Sequence, residues 1–139
     1  MSLLVDTSVW SLALRRDAPL TERGAQPEVA ALRHALLGAD QVFTTGLILQ
    51  ELLQGFAAPK ARTQLIERLS ALALIQPNRE DHIEGAELKN SCRRRGVQVG
   101  TIDALLIQLC RKHDLVLLST DQDFRAAARH VGFRLWAAQ

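Results

Sequence analysis

Residues 101–124 read TIDALLIQLCRKHDLVLLSTDQDF, and three pieces of local chemistry follow one another in that stretch. Thr101, Ile102 and Asp103 open a helix that Ala104, Leu105, Ile107 and Leu109 carry. Arg111, Lys112 and His113 place positive charge near its C-terminal end, where the helix dipole favours cations. Asp114 is a short break. Leu115-Val116-Leu117-Leu118 is all apolar and too short for a helix, which is the mark of a parallel strand buried on both faces. Ser119-Thr120-Asp121-Gln122-Asp123-Phe124 then leaves the strand and starts the next helix. One acid, Asp103, thus stands at a helix N-terminus. Another, Asp121, stands just past the C-terminal end of a strand, the edge at which open α/β sheets bind ligands.

The N-terminus repeats the second arrangement. Leu3-Leu4-Val5 is a short apolar strand, Asp6-Thr7-Ser8 follows it, and Val9-Trp10 begins a helix. If the two strands are neighbours, Asp6 and Asp121 face one crevice. Between these ends the chain alternates. Helices are expected over 8–15, from Pro27 to Leu37, over 47–56, from Pro59 through Leu69, over 80–95 and over 124–130. Strands are expected over 41–44, 72–75 and 133–136. Asp17-Ala18-Pro19 breaks the first helix, a polar loop runs from Thr21 to Gln26, and Gly96 caps the helix before the 97–100 loop. Alternating strands and helices indicate an α/β fold with a parallel sheet covered on both faces. No repeat, low-complexity run or linker divides the 139 residues, so a single domain over 1–139 is expected.

Composition narrows the function classes. Hydrophobic residues make up 47% of the chain, enough for a proper core without staples. Cys92 and Cys110 form no CxxC and have no His at metal spacing, so they read as reduced packing thiols of a cytoplasmic protein. No basic leader precedes the first strand, and no apolar run approaches the roughly 18 residues of a membrane span. A net charge of +2 says little about nucleic acid by itself. Its distribution says more: Lys89 with Arg93-Arg94-Arg95, and Arg15-Arg16, are local basic clusters, each either a solvated face or a phosphate contact. Tyr is absent and aromatics are 4%, so no platform for stacking single strands is evident. The histidines at 34, 82, 113 and 130 share no spacing, and none is assigned catalysis.

Four segments taken together, VDTSVW at 5–10, Glu51 within LILQELLQG, GTIDALLIQLC at 100–110 and LLSTDQDF at 117–124, resemble the acidic motifs of the PIN-domain nucleases, and their wording resembles the VapC-type toxins of bacterial toxin–antitoxin pairs. The resemblance runs the length of the chain, in the family's order. It implies a three-layer α/β/α fold with a five-stranded parallel sheet ordered 3-2-1-4-5, which makes strands 1 and 4 neighbours. It implies that Asp6, Glu51, Asp103 and Asp121 are catalytic and hold metal, with Ser8, Ser119 and Asp123 in support. It also implies an RNA substrate such as tRNA or rRNA, a VapB-like antitoxin laid over the crevice, and a homodimer.

The chemistry fits the residue types. Carboxylates gathered in one crevice repel, and hard oxygen donors suit Mg²⁺ or Mn²⁺. An ion so held can activate water for in-line displacement at a phosphodiester, so the protein needs no nucleophile of its own. Lys89, Arg93, Arg94 and Arg95 could bring RNA phosphates toward the acids. Blander roles compete. Asp6 and Asp103 could each cap a helix, Glu51 borders an apolar face and could be a surface residue, and Asp123 could cap while Asp121 takes the fourth acid's place. A haloacid-dehalogenase phosphatase would need an Asp where Ser8 stands. A receiver domain would need an early acid pair. A PIN-like module that binds RNA or a partner without cleaving is the remaining alternative.

Overall fold

Short strands without charge, such as Leu3-Leu4-Val5 and Val116-Leu117-Leu118, are drawn to the centre because they can be buried on both faces. In the computed structural model, which describes residues 1–15, 26–38 and 40–138, five strands form one sheet. They are β1 (Ser2–Val5), β2 (Gln41–Thr45), β3 (Ala73–Ile75), β4 (Val116–Leu118) and β5 (Arg134–Leu135). The order is β3-β2-β1-β4-β5, as the family resemblance implied, and every pairing is parallel, as the alternation of strands and helices indicated. Leu3, Leu4, Val5 and all of β4 are buried, as a sheet covered on both sides requires.

Seven helices fill the connections among the described residues: α1 (Thr7–Leu14), α2 (Pro27–Leu37), α3 (Gly46–Gly55), α4 (Pro59–Ser70), α5 (Arg79–Arg94), α6 (Thr101–His113) and α7 (Gln122–Ala128). Proline at the first turn starts α2 and α4, where a missing N–H costs nothing. The side chain of Thr45 starts α3 by accepting the Ile48 N–H at 3.1 Å. Helix α1 packs against α2 and α3, α3 packs against α4, and α5 packs along α6. Ile48, Leu52, Leu106, Ile107, Leu109 and Phe124 are almost wholly buried between helices and sheet.

Boundaries differ from the sequence expectation by a residue or two, with physical causes. Helix α7 begins at Gln122 rather than Phe124, because Asp121 caps it. The last strand is two residues rather than four, although the Trp136 N–H still donates to the Leu117 carbonyl at 2.8 Å. Asp114, the expected break, takes a left-handed conformation (φ 54°) that ends α6. Arg16, the breaker at 17–19 and the polar loop from Thr21 lie outside the described residues.

The sheet register places the acids. Val5 stands beside Leu118, so Asp6 and Ser119 leave adjacent strands side by side at the C-terminal edge. That edge is the topological switch point, where the chain's two halves run outward from β1 and β4.

Candidate active site

Asp6 follows β1 directly, and the parallel ladder continues through it: its N–H donates to the Leu118 carbonyl at 2.9 Å. Its side chain does not cap α1, so the local capping reading does not hold. Instead Oδ2 accepts two hydroxyl protons, from Ser119 at 2.8 Å and Ser8 at 2.9 Å. The two serine oxygens lie 3.3 Å apart, and each accepts a backbone N–H, Ser8 from Thr120 and Ser119 from Asp121. Two residues from different strand ends thus grip one carboxylate oxygen. Asp6 is only 9% exposed, and among the described residues both hydroxyl bonds fall on Oδ2.

Asp103 sits in the first turn of α6, one turn beyond the N-cap Gly100, and makes no cap bond. Burial first, then the charges of Asp6, Asp121, Asp123 and Glu51, push its carboxyl up from the ordinary value to about 6. Asp121, rather than Asp123, carries the helix cap. Its Oδ1 accepts the Asp123 N–H at 2.9 Å, and Asp123 lies inside the first turn of α7. Glu51 arrives from the second turn of α3 and is exposed. The Thr7 hydroxyl donates to its Oε1 at 3.4 Å.

Asp6, Glu51, Asp103 and Asp121 line a single open cleft of about 450 Å³, together with Thr7, Ser8, Gly100, Thr101 and Ile102. Asp123, Lys89 and the 93–95 arginines do not line it. A larger groove of about 590 Å³ between α1, α3 and α4 has no carboxylate among the described residues that line it, so chemistry rather than volume points to the acid cleft. Helices α1 and α6 both begin at that cleft, where their positive ends favour anions. No three of the acids are drawn into a tight ligand set among the described residues. Even so, the donor set is all hard oxygen, and the potential that displaces Asp103 is one a divalent cation would neutralise, so these residues fit Mg²⁺ or Mn²⁺.

Lys89 is half-buried and donates to the Val99 carbonyl at 2.9 Å, tying α5 to the loop that leads into α6. Arg95 reaches the His130 carbonyl at 2.8 Å, while Arg93 and Arg94 are exposed at the end of α5. Thr7 is the site residue that motif reading passed over. Its signal was its place between Asp6 and Ser8, and its bond to Glu51 depends on α3 lying beside α1, which no local pattern reports.

The sequence profile of the PIN domain family matches residues 3–130. Among curated proteins none matches. Several solved structures are similar. FitAcB from Neisseria gonorrhoeae is 20% identical, with a TM-score of 0.71, and 97% of this chain and 96% of that chain are covered. VapBC2 from Rickettsia felis, bound to a DNA fragment from its promoter, is 17% identical with a TM-score of 0.69, and both chains are covered at 100%. VapC20 from Mycobacterium tuberculosis, described as a sarcin-ricin loop cleaving toxin, is 21% identical with a TM-score of 0.65, covering 94% and 95%. At these identities the likeness is one of fold.

Proposed function

The chain belongs to the PIN domain family, and on that premise we propose that it is a metal-dependent endoribonuclease, the toxin of a toxin–antitoxin pair. The observation that carries this reading is the convergence of Asp6, Glu51, Asp103 and Asp121 on one cleft at the sheet's switch point. In this reading those four carboxylates hold Mg²⁺ or Mn²⁺. When bound, the ion supplies a water of lowered pKa and charge stabilisation for in-line displacement at a phosphodiester.

The chain's own residues orient and gather. Ser8 and Ser119 hold Asp6 Oδ2, so Asp6 presents its other oxygen in a fixed direction. Thr7 steadies Glu51. Asp121 caps α7 with one oxygen and turns toward the cleft, and Asp123 supports from the first turn. The α1 and α6 N-termini favour the substrate's phosphate. Arg93 and Arg94 add positive charge at the end of α5, whereas Lys89 and Arg95 each commit a donor to a carbonyl. RNA, as tRNA or rRNA, is the substrate class, by analogy with the toxin described as cleaving the sarcin-ricin loop. A VapB-like antitoxin is the partner, by analogy with the VapBC and FitAB complexes. We read the protein as one cytoplasmic domain that forms a homodimer. No helix among the described residues is long and apolar enough to cross a membrane.

Cleavage of an RNA panel with Mn²⁺, beside circular dichroism, tests the reading. Asp6→Asn, Asp103→Asn, Asp121→Asn and Glu51→Gln should each lower the rate by orders of magnitude with the fold intact. Wild-type rates in Asp6→Asn or Asp103→Asn would defeat the mechanism. Inert wild-type protein that still binds RNA would leave the binding-module alternative. The toxin role stands or falls separately: the product of an adjacent small reading frame should co-purify, and harmless free expression with no bound partner would contradict it.

A further inference from the structure

We propose that an apolar pocket beside the acid cleft is a nucleobase subsite, seating one unpaired base of the RNA next to the bond that is cut. The proposal rests on the nuclease reading and adds to it a source of sequence preference. The pocket, of about 350 Å³, opens between α5, the start of α6 and the first turn of α3. Leu47, Ala86, Ile102 and Leu105 contribute apolar wall, and His82 and Asn90 bring polar edges to it.

Three observations choose a base as the occupant. Thr101 and Ile102 line both this pocket and the acid cleft, so the two cavities share a wall and a chain lying in one continues into the other. The lining matches the chemistry of a base, whose faces are apolar and whose edges carry donors and acceptors. Imidazoles stack on bases, and a side-chain amide offers a donor and an acceptor side by side. Finally, His82, Ala86, Lys89 and Arg93 recur at three- and four-residue spacing along α5 and so lie on one stripe. That stripe runs from the pocket to the exposed Arg93, which suits a sugar-phosphate backbone leaving the subsite. With aromatics at 4% and no tyrosine in the chain, base recognition falls to a pocket rather than to a stacking platform.

Ala86 is exposed, so Ala86→Phe fills the pocket from its mouth without disturbing the core. Asn90→Ala removes the amide while leaving the pocket open. The first readout is sequencing of ends produced from a randomised RNA pool. Wild type should favour one base at a position flanking the cut. Ala86→Phe should flatten that preference about tenfold, the order expected for one seated base, and Asn90→Ala should shift which base is favoured. An unchanged preference in both variants would overturn the subsite while the nuclease reading stands. The second readout needs no cleavage: a short RNA carrying 2-aminopurine, titrated in EDTA. Its fluorescence should change on wild type and not on Ala86→Phe, and an equal response in both would overturn the subsite even if the protein proves to cut nothing. Light scattering closes the remaining route. Conversion of a wild-type dimer to monomer by Ala86→Phe would make the pocket a contact between copies of this chain and overturn the proposal.

Discussion

At the scale of single residues, Asp121 does two jobs that Asp123 does not. It caps α7 with Oδ1 and lines the acid cleft, while Asp123 offers only its N–H to that cap and a charge in the first turn. Asparagine caps helices about as well as aspartate, whereas alanine loses about 1 kcal/mol. Asp121→Asn should therefore keep the cap and, in metal-free protein, melt no lower than wild type, Asp121→Ala should be less stable than Asp121→Asn by about that amount, and both should lose Mn²⁺-supported cleavage. Asp123→Asn should give up only the charge–dipole contribution, on the order of 0.5 kcal/mol, and keep most of its activity. Melting curves and cleavage rates for the three variants separate these outcomes, and loss of cleavage in Asp123→Asn alone would exchange the two roles. The sequence left this pair ambiguous because both acids stand between the end of β4 at Leu118 and the first turn of the next helix. Only the direction of the Asp123 N–H decides between them.

Elements were legible where burial is uniform and blurred where a single cap sets a boundary. Strands β1 and β4 stand out as apolar runs because both faces are covered, and α6 because its apolar residues keep helical spacing above a basic last turn. The edge strand β5 is half exposed and short, so its pattern is weak. The capping box at the start of α5 was not read from sequence, although Asn78 and Asp81 stand at the right spacing: the Asp81 N–H donates to Asn78 at 3.0 Å, and the Asn78 N–H donates back to Asp81 at 2.9 Å. At the other end of α5, Gly96 has a φ of 77° and closes the helix by donating to the Arg93 carbonyl, as Val97 does to Cys92. Gly96→Ala should cost about 1 kcal/mol, since a side chain there is strained although nothing lies in its way. Lys89→Met keeps the aliphatic stem and removes the bond to Val99, so it should cost roughly 1 kcal/mol and loosen the loop that delivers Asp103. Hydrogen exchange at residues 97–103 reads that loosening directly; unchanged protection would mean the bond carries no such role.

For the whole molecule, the alternation of strands and helices announced a parallel sheet, but bringing Glu51 to Asp6 requires β2 to lie beside β1, and that order came from family resemblance rather than from any local pattern. The fold then sets two acids against each other in its response to pH. Asp103 is pushed up to about 6, by burial and then by its acidic neighbours, so the folded state holds its proton more tightly than the unfolded chain does. Without metal its contribution is complete below the ordinary carboxylate value of 3.8 and is lost as pH rises through about 6. Asp81 works the other way. Burial alone would raise it, but the Asn78 N–H and the Lys112 ammonium, 3.2 Å away, outweigh burial and hold it below 3.8. Its contribution is present above that value and disappears as pH falls through its lowered folded value. Metal-free protein should therefore be most stable between about pH 4 and 6, and less stable at pH 8 by on the order of 1 kcal/mol once solvent screening reduces the Asp103 effect. Asp103→Asn should flatten the alkaline limb and melt higher than wild type at pH 8. Mn²⁺ should raise the wild type there by mass action and the variant by less. Lys112→Met should lower stability at neutral pH by about 1–2 kcal/mol, because it leaves a buried carboxylate without its cation, and it should soften the acid limb. Melting temperatures across pH, with chelated and Mn²⁺-loaded protein, test all of this together. A metal-free wild type equally stable at pH 5 and pH 8 would mean that the carboxylates do not repel one another in the cleft, and the convergence on which the nuclease reading depends would lose its electrostatic support.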